Sequence, residues 1–188
     1  MKNLFQKPKQ NTGQSDRAFA QLYDRTFDKV YGFLLLRLSG DTNTAADLTQ
    51  DTFLAVYRSM QNFSGRSAES TWVIGIAKNK LYDYYRSLFR RKNWLESLED
   101  TEAVGDSMED AILSYENKKF VKEILNSLPE QYRMLLILKY MENLKLREIA
   151  LLTGRTVKSV DGIIQRAKTA FIKAYREVES GGYDNEKR

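Results

Sequence analysis

Apolar residues in the first third of the chain recur at spacings of three and four. Phe19, Leu22, Tyr23, Phe27, Val30, Tyr31, Leu34, Leu35 and Leu38 predict a long amphipathic helix from Ser15, stopped at Ser39-Gly40-Asp41. A second helix is expected from 42–44 to about Met60. Leu48, Phe53, Val56 and Tyr57 are its apolar positions, and Asp47, Gln50 and Asp51 form an acidic and amide ridge. Residues 61–70 are small and polar with one arginine and one aromatic, the composition of a loop. The pattern resumes at Ser70 or Thr71. Val73, Ala77, Leu81, Tyr84 and Leu88 are the expected buried stripe. Lys78, Tyr82, Arg86 and Phe89 line the opposite side, with Asn79 and Trp72 beside them and Arg90, Arg91 and Lys92 following.

Beyond an aperiodic middle, a helix is expected from Ile112 to Asn126, with Phe120, Val121, Ile124 and Leu125 apolar. Ser127-Leu128-Pro129-Glu130 resembles a capping box opening a helix over 132–140. Next comes the most informative stretch, Lys145–Tyr175. It reads as helix, tight turn at Thr153-Gly154-Arg155, and second helix, with Thr156 placed to cap the second. On that helix Val157, Val160, Ile164, Ala167, Phe171 and Ala174 project to one side. Lys158, Gly162, Gln165, Arg166, Thr169 and Lys173 project to the other. One buried and one basic, hydrogen-bonding face suit a major groove. Gly162 costs its helix about 1 kcal/mol against alanine, and from a polar face it points to close approach of another surface. Without a partner, the same pattern describes an amphipathic helix pair with a solvated basic side.

Charge sharpens the division. Of 188 residues, with net charge +5, the stretch from Glu96 to Glu116 holds eight acidic and no basic residues. The remainder carries 30 basic against 17 acidic. Two basic modules thus flank an acidic connector, a pattern suited to a nucleic-acid binder. The chain has no cysteine and no histidine. Disulfides, thiolate nucleophiles, Cys/His zinc sites and imidazole acid–base chemistry are thereby excluded. No cofactor or metal is expected. Residues 1–14 are polar with no apolar h-region, and no apolar run reaches bilayer-spanning length. The expected location is the cytoplasm.

Lys78, Tyr82, Arg86 and Phe89 combine cations, which track phosphates, with rings, which stack on unpaired bases at about 1–3 kcal/mol each. Packing of those rings on a neighbouring helix is the competing reading. The acidic ridge reads equally as a docking surface or a solvated face.

In order and spacing, these stretches resemble the extracytoplasmic function (ECF) group of bacterial sigma factors, over about residues 15–178. Residues 47–54, DLTQDTFL, look like the core-polymerase-binding segment of sigma region two. Phe63-Ser64-Gly65 through Trp72 looks like the promoter-melting loop and its tryptophan, and Ile76-Ala77-Lys78-Asn79 like the start of the helix that reads the -10 element. Leu128-Pro129-Glu130 and Arg147-Glu148-Ile149-Ala150 look like region four. The resemblance implies an all-α fold of two helical bundles, with region two at 15–92, an acidic flexible linker at 93–111, region four at 112–178, and tails at 1–14 and 179–188.

It also implies roles by position. Asp47, Gln50 and Asp51 would meet the clamp helices of RNA polymerase. The loop Ser64 to Ser70 would capture a base flipped from the non-template strand, Lys78, Asn79, Tyr82 and Arg86 would contact the opened -10 strand, and Phe63, Ser64, Arg66, Ser67 and Trp72 complete the -10 DNA-binding set. Lys139, Thr156, Lys158, Ser159, Asp161, Gly162, Gln165, Arg166 and Thr169 would face the -35 element. Where the family usually has a basic residue and a serine this chain has Asp161 and Gly162, and Ile163 replaces a common arginine. The family's usual -35 sequence is therefore not carried over. The implied partners are core RNA polymerase, promoter DNA and an anti-sigma factor, often membrane-bound, with nucleoid association when the chain is on polymerase and no membrane insertion of its own. Promoter elements two DNA turns apart are separated by roughly 70 Å. The 20 residues Lys92–Ala111 stretch to roughly 66–72 Å, enough to bridge them. The implied protein is a promoter-specificity subunit and no enzyme. The alternative is a helix-turn-helix regulator acting without stable polymerase association. A hydrolase or transferase has no constellation to work with.

Overall fold

The computed structural model describes residues 12–92 and 118–182, with side chains over 15–91 and 121–177. The connector expected at 93–111, the start of the helix expected from Ile112, and most of both tails lie outside the described residues. Everything described is helix, turn or coil, with no strand. The helices are α1 (Thr12–Arg37), α2 (Thr42–Ser59), α3 (Glu69–Lys92), α4 (Lys118–Ser127), α5 (Glu130–Leu136), α6 (Leu146–Thr153) and α7 (Val157–Gly182). They fall into two compact units that divide within α3, between Leu81 and Tyr82.

In the first unit, α1 packs along α2. Leu22, Thr26, Val30 and Leu34 are buried at four-residue spacing, facing Ala45, Leu48, Thr49, Thr52, Phe53 and Val56. Three of these are threonines, each resolved locally. Thr26 donates to the Leu22 carbonyl at 2.6 Å, Thr49 to Ala45 at 2.7 Å and Thr52 to Leu48 at 2.6 Å. Satisfying each hydroxyl one turn back lets a small polar residue sit in the seam without a desolvation penalty. The α1 helix ends in a Schellman turn. The Gly40 N–H reaches the Leu35 carbonyl at 2.9 Å, and Ser39 takes the left-handed conformation, φ 58°. Asp41 then caps α2, accepting from the Thr44 N–H at 3.1 Å.

Helix α3 starts at Glu69, whose carboxylate pairs with Arg25 of α1 at 2.9 Å. Its stripe corrects the expectation at two places. Val73, Ala77 and Leu81 are buried as read, but the continuation is Tyr85, Leu88 and Phe89. Tyr84 is only half-buried, and Phe89, expected on the polar side, is 6% exposed. The buried positions follow one i,i+4 ridge, 73-77-81-85-89. Each step of four residues advances about 40° round a 3.6-residue helix. The ridge therefore winds onto the side that a straight projection assigns to solvent.

In the second unit α4, α5 and α6 surround α7. Phe171, Ala167 and Ile172 of α7 meet Ile124, Leu128 and Leu136 in one apolar cluster. Ser127-Leu128-Pro129-Glu130 is not a capping box. The Ser127 hydroxyl donates back to the Ile124 carbonyl at 2.8 Å as the last residue of α4, and Pro129, at the N-cap of α5, has no side-chain acceptor. The helix expected to run to Tyr140 widens at Ile137–Met141 into a π turn, where the Glu142 N–H reaches five residues back to Ile137 at 2.9 Å. Helix α6 opens with the Glu148 carboxylate accepting the Lys145 N–H at 2.7 Å. The reciprocal half of a capping box is missing, because a lysine ammonium only donates.

Between α6 and α7, Gly154 takes φ 71°, and both its N–H and that of Arg155 converge on the Ala150 carbonyl. Thr156 accepts the Ser159 N–H at 3.1 Å, the expected cap. The buried face of α7 carries Val160, Ile164, Ala167 and Phe171 as read, with Ile163 and Ile172 added. Val157, expected inside, is 42% exposed, and Ala174 is half-buried. A first-turn residue lies past the edge of what α6 covers. Ile163 is 1% exposed and serves the core.

Candidate nucleic-acid interface and docking surface

On α2 the side chains of Asp47, Gln50 and Asp51 are all exposed, three and four residues apart on one face. The ridge does not stand alone. Gln50 also borders an apolar groove of about 480 Å³ lined by Phe19, Tyr23, Phe27, Tyr31, Phe53, Leu54 and Tyr57. The rings at 19, 23, 27 and 31 form a ladder up α1. The Tyr23 and Phe53 centroids are 4.5 Å apart, and those of Phe19 and Tyr57 5.1 Å. Tyr57 is 48% exposed and Leu54 46%. The Tyr57 hydroxyl donates to Asp16 at 3.0 Å, and that carboxylate pushes the phenol's pKa above its ordinary value. Apolar periodicity counted Phe19, Tyr23, Phe27, Tyr31, Phe53 and Tyr57 among the apolar positions of α1 and α2; Phe53 is buried, and Tyr23 and Tyr57 are exposed. The legible signal was the four-residue spacing of aromatics, bulkier than a two-helix seam can bury.

The loop before α3 is exposed at Ser64, Gly65, Arg66 and Ser67. Gly65 takes φ 69°, a conformation costly for other residues. Phe63 and Trp72 bracket the loop, both half-buried, with ring centroids 4.8 Å apart and planes tilted by 33°. Along α3, Asn79 and Arg86 are exposed and Lys78 and Tyr82 half-buried. Arg86 pairs with Asp83 one turn before it. Tyr82, within the second unit, donates its hydroxyl to Glu142 at 3.0 Å, and Glu142 is only 5% exposed. The rings expected to be free are thus engaged: Tyr82 by a buried carboxylate, Phe89 by the core.

In the second unit Thr156, Lys158, Asp161 and Gln165 are exposed, and Ser159, Gly162, Arg166 and Thr169 half-buried. Thr156, Lys158, Ser159, Gly162 and Arg166 line one shallow cavity of about 310 Å³ on the first turns of α7. Arg155 donates to the Ser159 hydroxyl at 3.5 Å, and Thr169 to the Gln165 carbonyl at 3.2 Å. Lys139 is half-buried on the π turn. The helix N-terminus, Lys158 and Arg166 together make this surface electropositive, with Asp161 its one carboxylate among the residues named. Such a surface suits phosphates and base edges.

An exposed acidic ridge, an aromatic-bracketed loop and a helix-turn-helix unit with an electropositive surface fit a DNA-contacting protein with a separate docking face. The Sigma-70 region 2 family model matches residues 22–91, and the Sigma-70 region 4 model residues 121–171. Similar proteins include "ECF RNA polymerase sigma factor SigW" of Bacillus subtilis, 31% identical over 86% of this chain and 90% of the relative. The "ECF RNA polymerase sigma-E factor" of Haemophilus influenzae is 33% identical over 81% and 84%. Among solved structures, the sigma factor RpoE in complex with the anti-sigma factor NepR from Bartonella quintana is 19% identical over 85% of this chain and 98% of that one, with a TM-score of 0.43. At that score it adds nothing to the assignment. The chain belongs to the ECF RNA polymerase sigma factors. It works with RNA polymerase in promoter-directed initiation of transcription. Among the described residues no helix is long and apolar enough to cross a membrane.

Proposed function

We propose that this sigma factor divides its labour by surface and carries no catalytic group of its own. Residues 15–92 serve as the polymerase-binding and -10 domain, 112–178 as the -35 domain, and 93–111 as the tether between them. Asp47, Gln50 and Asp51 dock on the clamp helices of the polymerase. The observation that carries this is their joint exposure on α2 beside Leu54 and Tyr57, a polar rim against an apolar surface as in protein interfaces. The loop Ser64–Ser67, bracketed by Phe63 and Trp72, receives a base flipped from the non-template strand. Extrusion costs a few kcal/mol, drawn from the polymerase contact. Lys78, Asn79, Tyr82 and Arg86 then hold the opened strand, and Tyr82 exchanges Glu142 for DNA when it does so. Thr156, Lys158, Ser159, Asp161, Gly162, Gln165, Arg166 and Thr169, with Lys139 on a phosphate, face the -35 duplex. The protein works in the cytoplasm, on the nucleoid when polymerase-bound, and is held in check by an anti-sigma factor.

The test is transcription reconstituted from purified chain and core polymerase. The chain should direct initiation from a defined subset of genomic promoters. Gln50→Ala with Asp51→Ala should weaken polymerase binding about tenfold or more, leaving duplex binding by the helix-turn-helix unit unchanged. Tight duplex binding that polymerase does not alter would favour a free regulator instead.

A further inference from the structure

The glycine of α7 has a neighbour within its own helix. Apart from its own turn of helix and its chain neighbours, a Cβ built at Gly162 meets only Nη1 of Arg166, at 3.8 Å. Side chains on a helix lean toward its N-terminus, over the residue one turn earlier. Arg166 does this, bringing its guanidinium over position 162. Its Nε is buried and has no hydrogen-bond partner in the protein. Gly162 and Arg166 both line the electropositive cavity that Thr156, Lys158 and Ser159 complete. The neighbour at position 162 is the arginine four residues on, at ordinary contact distance from a Cβ.

We propose that Gly162 is a positioning residue for Arg166. The absence of a bulky side chain leaves a bed on which the guanidinium lies back along the helix, at the cavity that Lys158 and Ser159 also line. It enters the -35 interface from there, already oriented, and contributes to the choice of base at one position. This rests on the reading of Arg166 as a -35 contact. A planar guanidinium gains from such fixation, because its fork reads a base edge or phosphate only in a defined plane. A methyl at position 162 stays at ordinary contact distance and leaves the bed intact. A longer side chain enters the space of the guanidinium and the cavity beyond it.

The test uses the full chain with core polymerase on promoter fragments recovered with the wild-type holoenzyme, and on single-base variants across the -35 element. Arg166→Ala is expected to lose roughly 5- to 150-fold in discrimination at one base position, the range of a good bidentate contact. Gly162→Leu should flatten discrimination at that same position, and the double variant should be no worse than Arg166→Ala, since both changes remove one contact. Gly162→Ala should melt higher than wild type, since alanine removes the cost of a mid-helix glycine. A costly Arg166→Ala beside a silent Gly162→Leu, or losses that multiply in the double variant, would overturn the positioning role alone. A silent Arg166→Ala would overturn the underlying -35 contact and the positioning role with it. Melting curves of every variant identify any loss that comes from unfolding, and a Gly162→Leu chain that melts like wild type yet loses discrimination supports the proposal.

Discussion

Replacing Asp41 by alanine isolates the cap that holds the start of α2, the helix bearing Asp47, Gln50 and Asp51. Both carboxylate oxygens are in use. Oδ1 accepts the Thr44 N–H at 3.1 Å and Oδ2 the Thr44 hydroxyl at 2.6 Å. Losing an N-cap costs about 1 kcal/mol. The charge beside the helix N-terminus contributes about 0.3–1 kcal/mol more at low salt, toward the lower end here because Asp41 is exposed. For a unit of this size about 1 kcal/mol corresponds to a melting point roughly 4–8 °C lower, measurable by circular dichroism. Asp41→Asn keeps an acceptor and drops the charge, so it should lose only a few tenths of a kcal/mol.

The pH dependence follows from the same contacts. The Thr44 hydroxyl and N–H hold the Asp41 carboxyl below its ordinary pKa. A folded pKa below the unfolded one gives stability that is complete above the unfolded value, about 3.9. It is lost as pH falls through the depressed folded value. The gap between wild type and Asp41→Ala should therefore narrow below about pH 4, while Asp41→Asn shows no such trend. An Asn variant as unstable as the Ala variant at neutral pH, or a wild-type–Ala gap unchanged in acid, would refute this account of the cap.

Two further outcomes concern the second unit. Phe171→Ala empties the centre of the cluster with Ile124, Leu128, Leu136 and Ile172; it should cost about 3–5 kcal/mol in a urea melt, and Arg176→Ala, on an exposed position of the same helix, should cost far less. Gly154→Ala places a Cβ at φ 71° in the helix-turn-helix turn and should cost about 1–2 kcal/mol, read as a lower melting point with the -35 base preference unchanged.

Much of this protein was legible as a string because its signals are local. The start of α2, the tight turn at Thr153-Gly154-Arg155 and the Thr156 cap each depend on a handful of adjacent residues, and each is found as read. The buried side of α7 follows from its period, apart from Val157 at the margin. The misread capping box at Ser127–Glu130 shows how a local signal fails. Ser127 had a competing acceptor one turn back, in a helix that was still in progress.

What the chain's order of residues determined alone was the list of helices, their turns and the two basic modules with an acidic stretch between them. Tertiary packing decided which rings face outward. Tyr23, Leu54 and Tyr57 line an open groove, whereas Phe89, drawn on the polar side of α3, is sealed in. Periodicity states how apolar positions repeat round an axis, but the i,i+4 ridge winds about that axis, and only the neighbouring elements fix where along it the cover begins and ends. The lie of Arg166 over Gly162 is of the same kind. The sequence marked Gly162 as costly but did not name its neighbour, and the contact arises from the direction in which a folded helix leans its side chains.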